Sequence, residues 1–288
     1  MAQHLHDELE RAQRSGPVRD ILIPPCPELL LQLQNACAHG EPDLVEIDRI
    51  AGADVAMAAA LLRQANSSLY GLVHPAQTVG RAMTVLGLKA ALQLLSTFLT
   101  RRALPVNSPL LAHFWETSTR RALACEHVGA QLYDIDSGLA YTVGLFCHVG
   151  MPVMLGGVKG YGSTIVEALA RRDRSFTQTE NANHRTDHAV VGAIVARTWR
   201  LPPEVALTVR LHHDFTCLKD ERVSALVRRL VALTLIADYL VLQYEGVNVP
   251  ADWARYGSAC LEHLQIGPDE LEHWIDTLHP VFEQQVQF

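Results

Sequence analysis

Apolar residues recur along nearly the whole chain at the three- and four-residue spacing of a helix face. No run of alternating β-branched residues interrupts them, so nothing offers the two-residue period that a half-buried strand requires. A chain patterned this way has to bury helical stripes against one another, and an all-α fold is expected. The periodic segments are 28–38, 44–51, 54–65, a short helix capped by Thr78 and closed by Gly87, 88–102, 110–132, 137–149, 162–172, 186–199, 203–213, 222–245, 251–264 and 269–285.

The breaks between these segments carry turn chemistry. Ile21 to Pro27 includes three prolines and reads as an extended lead-in. Gly52 separates two helices and Asp54 is placed to cap the second. Asn66-Ser67-Ser68 ends that helix, asparagine being tolerant of the left-handed conformation. Pro105 to Pro109, with two prolines, an Asn and a Ser, is the best internal boundary. This gives a polar leader over 1–20, an N-terminal helical subdomain over 21–104, a second helical subdomain over 110–245, and C-terminal helices over 246–288 that pack on the second.

Charge and cysteine usage narrow the function. A formal charge of −7 argues against a general nucleic-acid binder, which needs a basic face. The basic clusters Arg101-Arg102, Arg120-Arg121 and Arg171-Arg172-Asp173-Arg174 are short and read as solvated helix ends. Six cysteines without framework spacing suit buried thiols of a reduced compartment. The polar stretch from Met1 to Ser15 does not read as a signal peptide, and the apolar run Val231 to Leu242 is interrupted by Asp238. A cytoplasmic protein without membrane insertion is expected. The pair 44–51 and 54–65 has the length of a helix-turn-helix, but its second helix begins Asp54-Val55-Ala56-Met57 and carries Arg63 alone, so it reads as a packing pair. The glycine-rich stretch Gly156-Gly157 to Gly162 lacks the Gly-Lys-Ser/Thr ending of a phosphate loop and reads as a connector.

The segment Leu145-Phe146-Cys147-His148-Val149-Gly150 bears most directly on chemistry. An apolar helix with a His-Asp doublet can hold a metal, the imidazole giving a nitrogen and the aspartate a hard oxygen. Here the second residue is Val149, which has no lone pair to offer. Cys147 beside His148 is not a nucleophile–base dyad, because adjacent helical residues point about 100° apart.

Laid out in full, the chain resembles the HDOD family, relatives of the HD-domain metal-dependent phosphohydrolases. The resemblance rests on Pro24-Pro25-Cys26-Pro27, Leu61-Leu62-Arg63-Gln64-Ala65-Asn66-Ser67 with Tyr70-Gly71, and Ala82 with Leu86-Gly87. Later in the chain it rests on Gly144 through Leu155, Asp187-His188-Ala189-Val190-Val191-Gly192, Trp199 with Leu201-Pro202, and His212-His213. The implied fold is an N-terminal helical bundle packed against an HD-like helical subdomain. In catalytic HD enzymes one histidine, the His-Asp doublet, further histidines and a late aspartate hold one or two metals that activate water. The resemblance leaves His148, His188, His212, His213 and Asp238 in such positions, while Thr117 stands where the first histidine would fall and Val149 replaces the doublet aspartate.

Each remnant also has a purely structural reading, and that one is adopted here. His148 is expected as a core histidine bonded to a neighbouring helix, and His188 as a residue of a helix start capped by Asp187 or Thr186. His212-His213 read as a helix end favoured by the dipole, and Asp238 as a carboxylate with an Arg, Tyr or His partner. Asn66-Ser67-Ser68 and Tyr70 are assigned to capping and packing rather than to a ligand groove. The expectation is a non-catalytic signalling module that binds a protein partner, with a small molecule or nucleotide as a further ligand class. No catalytic residue and no cofactor are expected, a divalent metal at the remnant site being the alternative. The rival readings are a metal-dependent phosphohydrolase or cyclic-nucleotide phosphodiesterase and, third, a nucleotide or nucleic-acid binder.

Overall fold

The computed structural model of the chain describes residues 7, 9–12, 17–37, 41–171, 173–247 and 251–283. Most of the first sixteen residues of the predicted leader over 1–20, together with residues 38–40, Arg172, 248–250 and 284–288, lie outside them. Among the described residues every regular element is a helix and none is a strand, as the periodicity requires. The chain divides into two units, one of them Pro25–Pro105 and the other Val106–Phe282 with the described part of the residues up to Pro24.

The Pro25–Pro105 unit contains α1 (Glu28–Cys37), α2 (Leu44–Gly52), α3 (Val55–Ala65) and α4 (Val79–Ala103). Asp43 caps α2 and Asp54 caps α3, each carboxylate accepting two backbone N–H bonds from the first turn. Ile47, Ile50, Met57, Leu61 and Leu95 are buried at helical spacing and form its apolar interior. Thr78 caps α4, and the predicted break at Gly87 is real: its φ of 75° and ψ of 159° leave the helix while hydrogen bonding continues on both sides. Asn66 differs from expectation. Its φ is −92°, and its amide holds the loop instead, accepting from Ala76 N at 2.6 Å and donating to Ala76 O at 3.0 Å.

The second unit contains α5 (Phe114–Gly129), α6 (Ser137–Phe146), α7 (Gly150–Gly157), α8 (Tyr161–Ala170), α9 (Phe176–His184), α10 (His188–Thr198), α11 (Pro203–Leu211), α12 (Ala225–Glu245), α13 (Ala251–Leu264) and α14 (Pro268–Glu283). The spacing assigned residues 21–24 to the first subdomain. They lie with this unit instead, where the Trp199 indole donates to Pro24 O at 2.9 Å.

Two helices escaped the periodicity. The helix α9 is polar, and only Thr179 and Glu180 are buried on it. The helix α7 was likewise not assigned, and the helix before it was read as running to 149. That helix stops at Phe146 because Pro152 has no N–H to return to the His148 carbonyl, and its ring would collide with that oxygen. The chain tightens instead, with Val149 N donating to Phe146 O and Met151 N to His148 O, before α7 begins. His148 therefore stands on a turn. Two segments, Val79–Ala103 and Ser137–Gly157, have the length and apolar content of a membrane span, and the second is mostly buried in its own unit.

Candidate metal centre

Four helix ends converge on one point of the second unit. The α6–α7 turn brings His148, the start of α10 brings His188, and the chain leaving α11 brings His212 and His213. One ring nitrogen from each of the four lies within 4.8 Å of every other. Ring centroids are 5.0 Å apart for His148 and His188, 4.8 Å for His148 and His212, and 4.1 Å for His212 and His213. Adjacent residues can face one centre here because both lie beyond the last turn of α11. The side chain of His188 is 1% exposed, and His212 is 2% exposed.

The close approach depends on missing side chains. A Cβ on Gly150 would come within 2.0 Å of the His188 carbonyl, so the backbones of α7 and α10 touch just after His148. A Cβ on Gly144 would meet the backbone of Arg121 and Ala122 at 2.7–2.9 Å, which lays α6 directly on α5.

Each histidine turns its other nitrogen outward to an acceptor. His188 Nδ1 donates to Glu180 Oε2 at 2.7 Å, and His212 Nδ1 to Val209 O at 2.6 Å. His213 Nδ1 faces Asp252 Oδ2 at 3.4 Å, and His148 Nε2 faces Asp238 Oδ2 at 3.8 Å. A carbonyl or ionised carboxylate can only accept, so these partners fix Nδ1 of His188 and His212 as the protonated nitrogen and leave Nε2 with a free lone pair in the neutral ring. The Nε2 atoms of His212 and His213 are fully buried with no hydrogen-bond partner among the described residues. His188 Nε2 has only His148 Nδ1, 3.1 Å away.

Electrostatics keeps two of the rings neutral. Burial, and then the Arg121 charge, hold His148 well below the usual histidine range despite Asp238. Burial and the three neighbouring imidazoles do the same for His212. His188 goes the other way: burial pushes its pKa down, but the charge and hydrogen bond of Glu180, with Asp187, outweigh it and raise it. Cys147 is fully buried and burial pushes its thiol far up, so it is inert as a nucleophile.

This donor set fits a divalent metal ion. Orphaned buried nitrogens are costly unless something accepts their lone pairs. Imidazoles oriented by outer carboxylates and carbonyls are the usual surroundings of a metal centre. Two nitrogens bound to one zinc ion at about 2.0–2.1 Å lie about 3.3 Å apart in a tetrahedron, close to the His148–His188 spacing. His148, His188, His212 and His213 would hold the ion, and when bound it would supply positive charge and fixed ligand geometry.

The carboxylate side of the site is spoken for. Asp238 is ion-paired with Arg121 Nε through Oδ1. Burial would raise the Asp238 pKa, but Arg121 and His148 together lower it. Both oxygens of Glu180 are used, one by the Tyr161 hydroxyl and one by His188. Val149 is buried, with a methyl beside Gly192. Thr117 donates to Glu245 Oε1 at 3.1 Å.

Two of these residues, Arg121 and Glu180, were given no place in the site by the sequence reading, and each left a signal. Arg121 was assigned to a solvated helix end, but it lies mid-helix and is 7% exposed. It occupies the stripe Phe114, Ser118, Arg121, Cys125, Val128, whose alternating four- and three-residue steps mark a buried face. Glu180 belongs to the overlooked α9, whose Ser175 and Gln178 form a capping box that the sequence displays.

Solved structures share this fold. A candidate signal-transduction protein of Marinobacter aquaeolei VT8 superposes with a TM-score of 0.76 at 17% identity, over 98% of this chain and 64% of that one. A candidate phosphohydrolase of Shewanella amazonensis SB2B gives 0.71 at 19% identity, over 97% of this chain and 94% of that one. An HDOD domain protein of unknown function from Geobacter sulfurreducens gives 0.72 at 19% identity, over 98% of this chain and 100% of that one. An uncharacterized protein of Treponema pallidum (strain Nichols) is 26% identical over 203 residues, which is 69% of this chain but 39% of that protein's length. The HDOD domain itself matches residues 23–215, more than half of the 288 residues, and the chain belongs to the HDOD family.

Proposed function

We propose that this chain is a cytoplasmic regulatory module that acts by binding a protein partner in a signalling pathway, and that its four-histidine centre holds a zinc-type cation as a structural lock. The observation that carries the reading is the donor set: four imidazole nitrogens face inward, and every carboxylate nearby is directed at another protein group. Imidazole suits zinc, copper, nickel and iron, whereas magnesium and calcium look for oxygen. Four protein ligands on a tetrahedral ion close it, as in structural zinc sites, while catalytic sites keep a position open. A cation here would tie the α6–α7 turn, α10 and the end of α11 into one rigid piece, a state that a partner can read.

Hydrolysis of phosphate esters asks for more than this site offers. The resemblance placed a bridging aspartate where Val149 stands and a further histidine where Thr117 stands, and Asp238 is occupied by Arg121. A nucleic-acid role is further weakened by the burial of Arg121, which removes a cation from the surface.

Elemental analysis of protein purified without added metal, paired with a phosphodiesterase assay in Mn²⁺, tests the proposal. About one zinc-type ion per chain, lost in His212→Ala and accompanied by no turnover, is the expected result. Mn²⁺-dependent ester hydrolysis abolished by His148→Ala would overturn it.

A further inference from the structure

We infer that the four-histidine centre is built as three plus one: His148, His188 and His212 are its permanent ligands, and His213 is an exchangeable one whose place a small nitrogen or anionic donor from solvent takes. The inference deepens the reading that the centre holds a zinc-type cation, and it rests on that reading.

The four rings are not held alike. His188 and His212 are buried, and their outer nitrogens make short bonds of 2.7 Å to Glu180 and 2.6 Å to the Val209 carbonyl. The His148 side chain is 14% exposed, but its turn is wedged through Gly150 against the His188 carbonyl, and its Nδ1 lies 3.1 Å from His188 Nε2. His213 is held more loosely. Its side chain is 17% exposed, and its outer nitrogen reaches Asp252 Oδ2 only at 3.4 Å, the weak end of hydrogen bonding.

The lock does not need His213. His212 already ties the end of α11 to the His148 turn and the start of α10, so three ligands join all three elements. Three histidines with the fourth position left to an outside donor is also an established donor set for zinc. Turning His213 about its Cα–Cβ bond into another staggered well would withdraw its nitrogen without moving the backbone that carries His212. The group that retains it is Asp252, in the first turn of α13. That turn is itself anchored: Trp253 stacks on Tyr239 of α12 at 3.9 Å, and Tyr256 packs on Phe215 at 4.9 Å. Asp252 thus sets how readily the fourth position opens, and α13 is the element whose movement would be felt there.

The test loads wild type, His213→Ala, His188→Ala and Asp252→Asn with Co²⁺ and follows the visible absorption of the ion as azide or imidazole is added. The wild-type spectrum should change saturably with azide. His213→Ala should still bind Co²⁺ and should take azide more tightly, since no ring has to be displaced, and imidazole should restore its wild-type spectrum. His188→Ala should not be rescued, because the place it vacates is sealed from solvent. Asp252→Asn should raise azide affinity and lower Zn²⁺ affinity by about 10-fold, the small end for groups behind the ligands. Loss of all Co²⁺ from His213→Ala, equal azide affinity in His213→Ala and wild type, or equal imidazole rescue of His188→Ala would each overturn the inference. If His213→Ala does not fold, the wild-type azide titration decides alone, and a spectrum that azide leaves unchanged counts against it. A wild type that binds neither Co²⁺ nor Zn²⁺ removes the underlying reading, a result distinct from a Co²⁺-loaded protein that ignores azide.

Discussion

Each unit of this protein contains an aspartate–arginine pair that links two of its helices. In Pro25–Pro105, Asp54 at the cap of α3 meets Arg102 near the end of α4. In the second unit, Asp238 on α12 meets Arg121 on α5. The two aspartates have the same side-chain exposure, 20%. The arginines differ: 63% for Arg102 and 9% for Arg121. What separates a surface ion pair from an interior one here is therefore the environment of the cation. Water screens Arg102 and can replace Asp54 as its partner, whereas Arg121 has no comparable substitute. The first pair ornaments a cap that Asp54 already makes with backbone N–H groups, and the second neutralises a carboxylate inside the candidate site.

Three measurements press on that comparison. The largest effect is expected from Arg121→Ala, which strands Asp238. A loss of about 3 kcal/mol in denaturant unfolding is expected, the low end for breaking a buried pair because Asp238 keeps some contact with water. A loss below about 1 kcal/mol would place the two pairs in the same class. Next comes Gly150→Ala. Its methyl would sit within 2.0 Å of the His188 carbonyl, so α7 must shift from α10 at a cost of about 1–3 kcal/mol, with weaker Zn²⁺ binding measured alongside. Unaltered stability and unaltered zinc affinity would show that the backbone contact does not govern the His148–His188 spacing. The smallest effect is assigned to Arg102→Ala, about 0–1 kcal/mol and fading with added salt, because the partner it leaves is still a working cap.

The two units were unequally legible. Caps and breaks at Asp54, Thr78 and Gly87 were visible as residue types with one local job, and the structure uses each in that job. Asn66 was visible as a helix end, but its clamp on Ala76 is a contact made ten residues away, which no local rule contains. In the second unit the histidines themselves could be picked out. Their convergence was implied only by the family resemblance and by no local pattern, because His148, His188 and His212 are joined only by the way α7, α10 and α11 pack. The end of α6 was decipherable in hindsight from Pro152, four residues past His148, through the lost N–H bond. Arg121 was misplaced because a doubled arginine suggests solvent, when the stripe it belongs to was the better guide.

The glycines on either side of His148 give this turn an uneven tolerance for sequence drift. At position 149 a side chain already fills the space, and exchanging one of similar volume alters chemistry without moving backbone. At position 150 even a single methyl group would wedge apart the segments that carry His148 and His188, and at position 144 it would push α6 off α5. A lineage descending from this chain can therefore gain or lose reactivity at 149 far more cheaply than it can accept alanine at either neighbour. The geometry of the cluster would outlast any particular chemistry performed there.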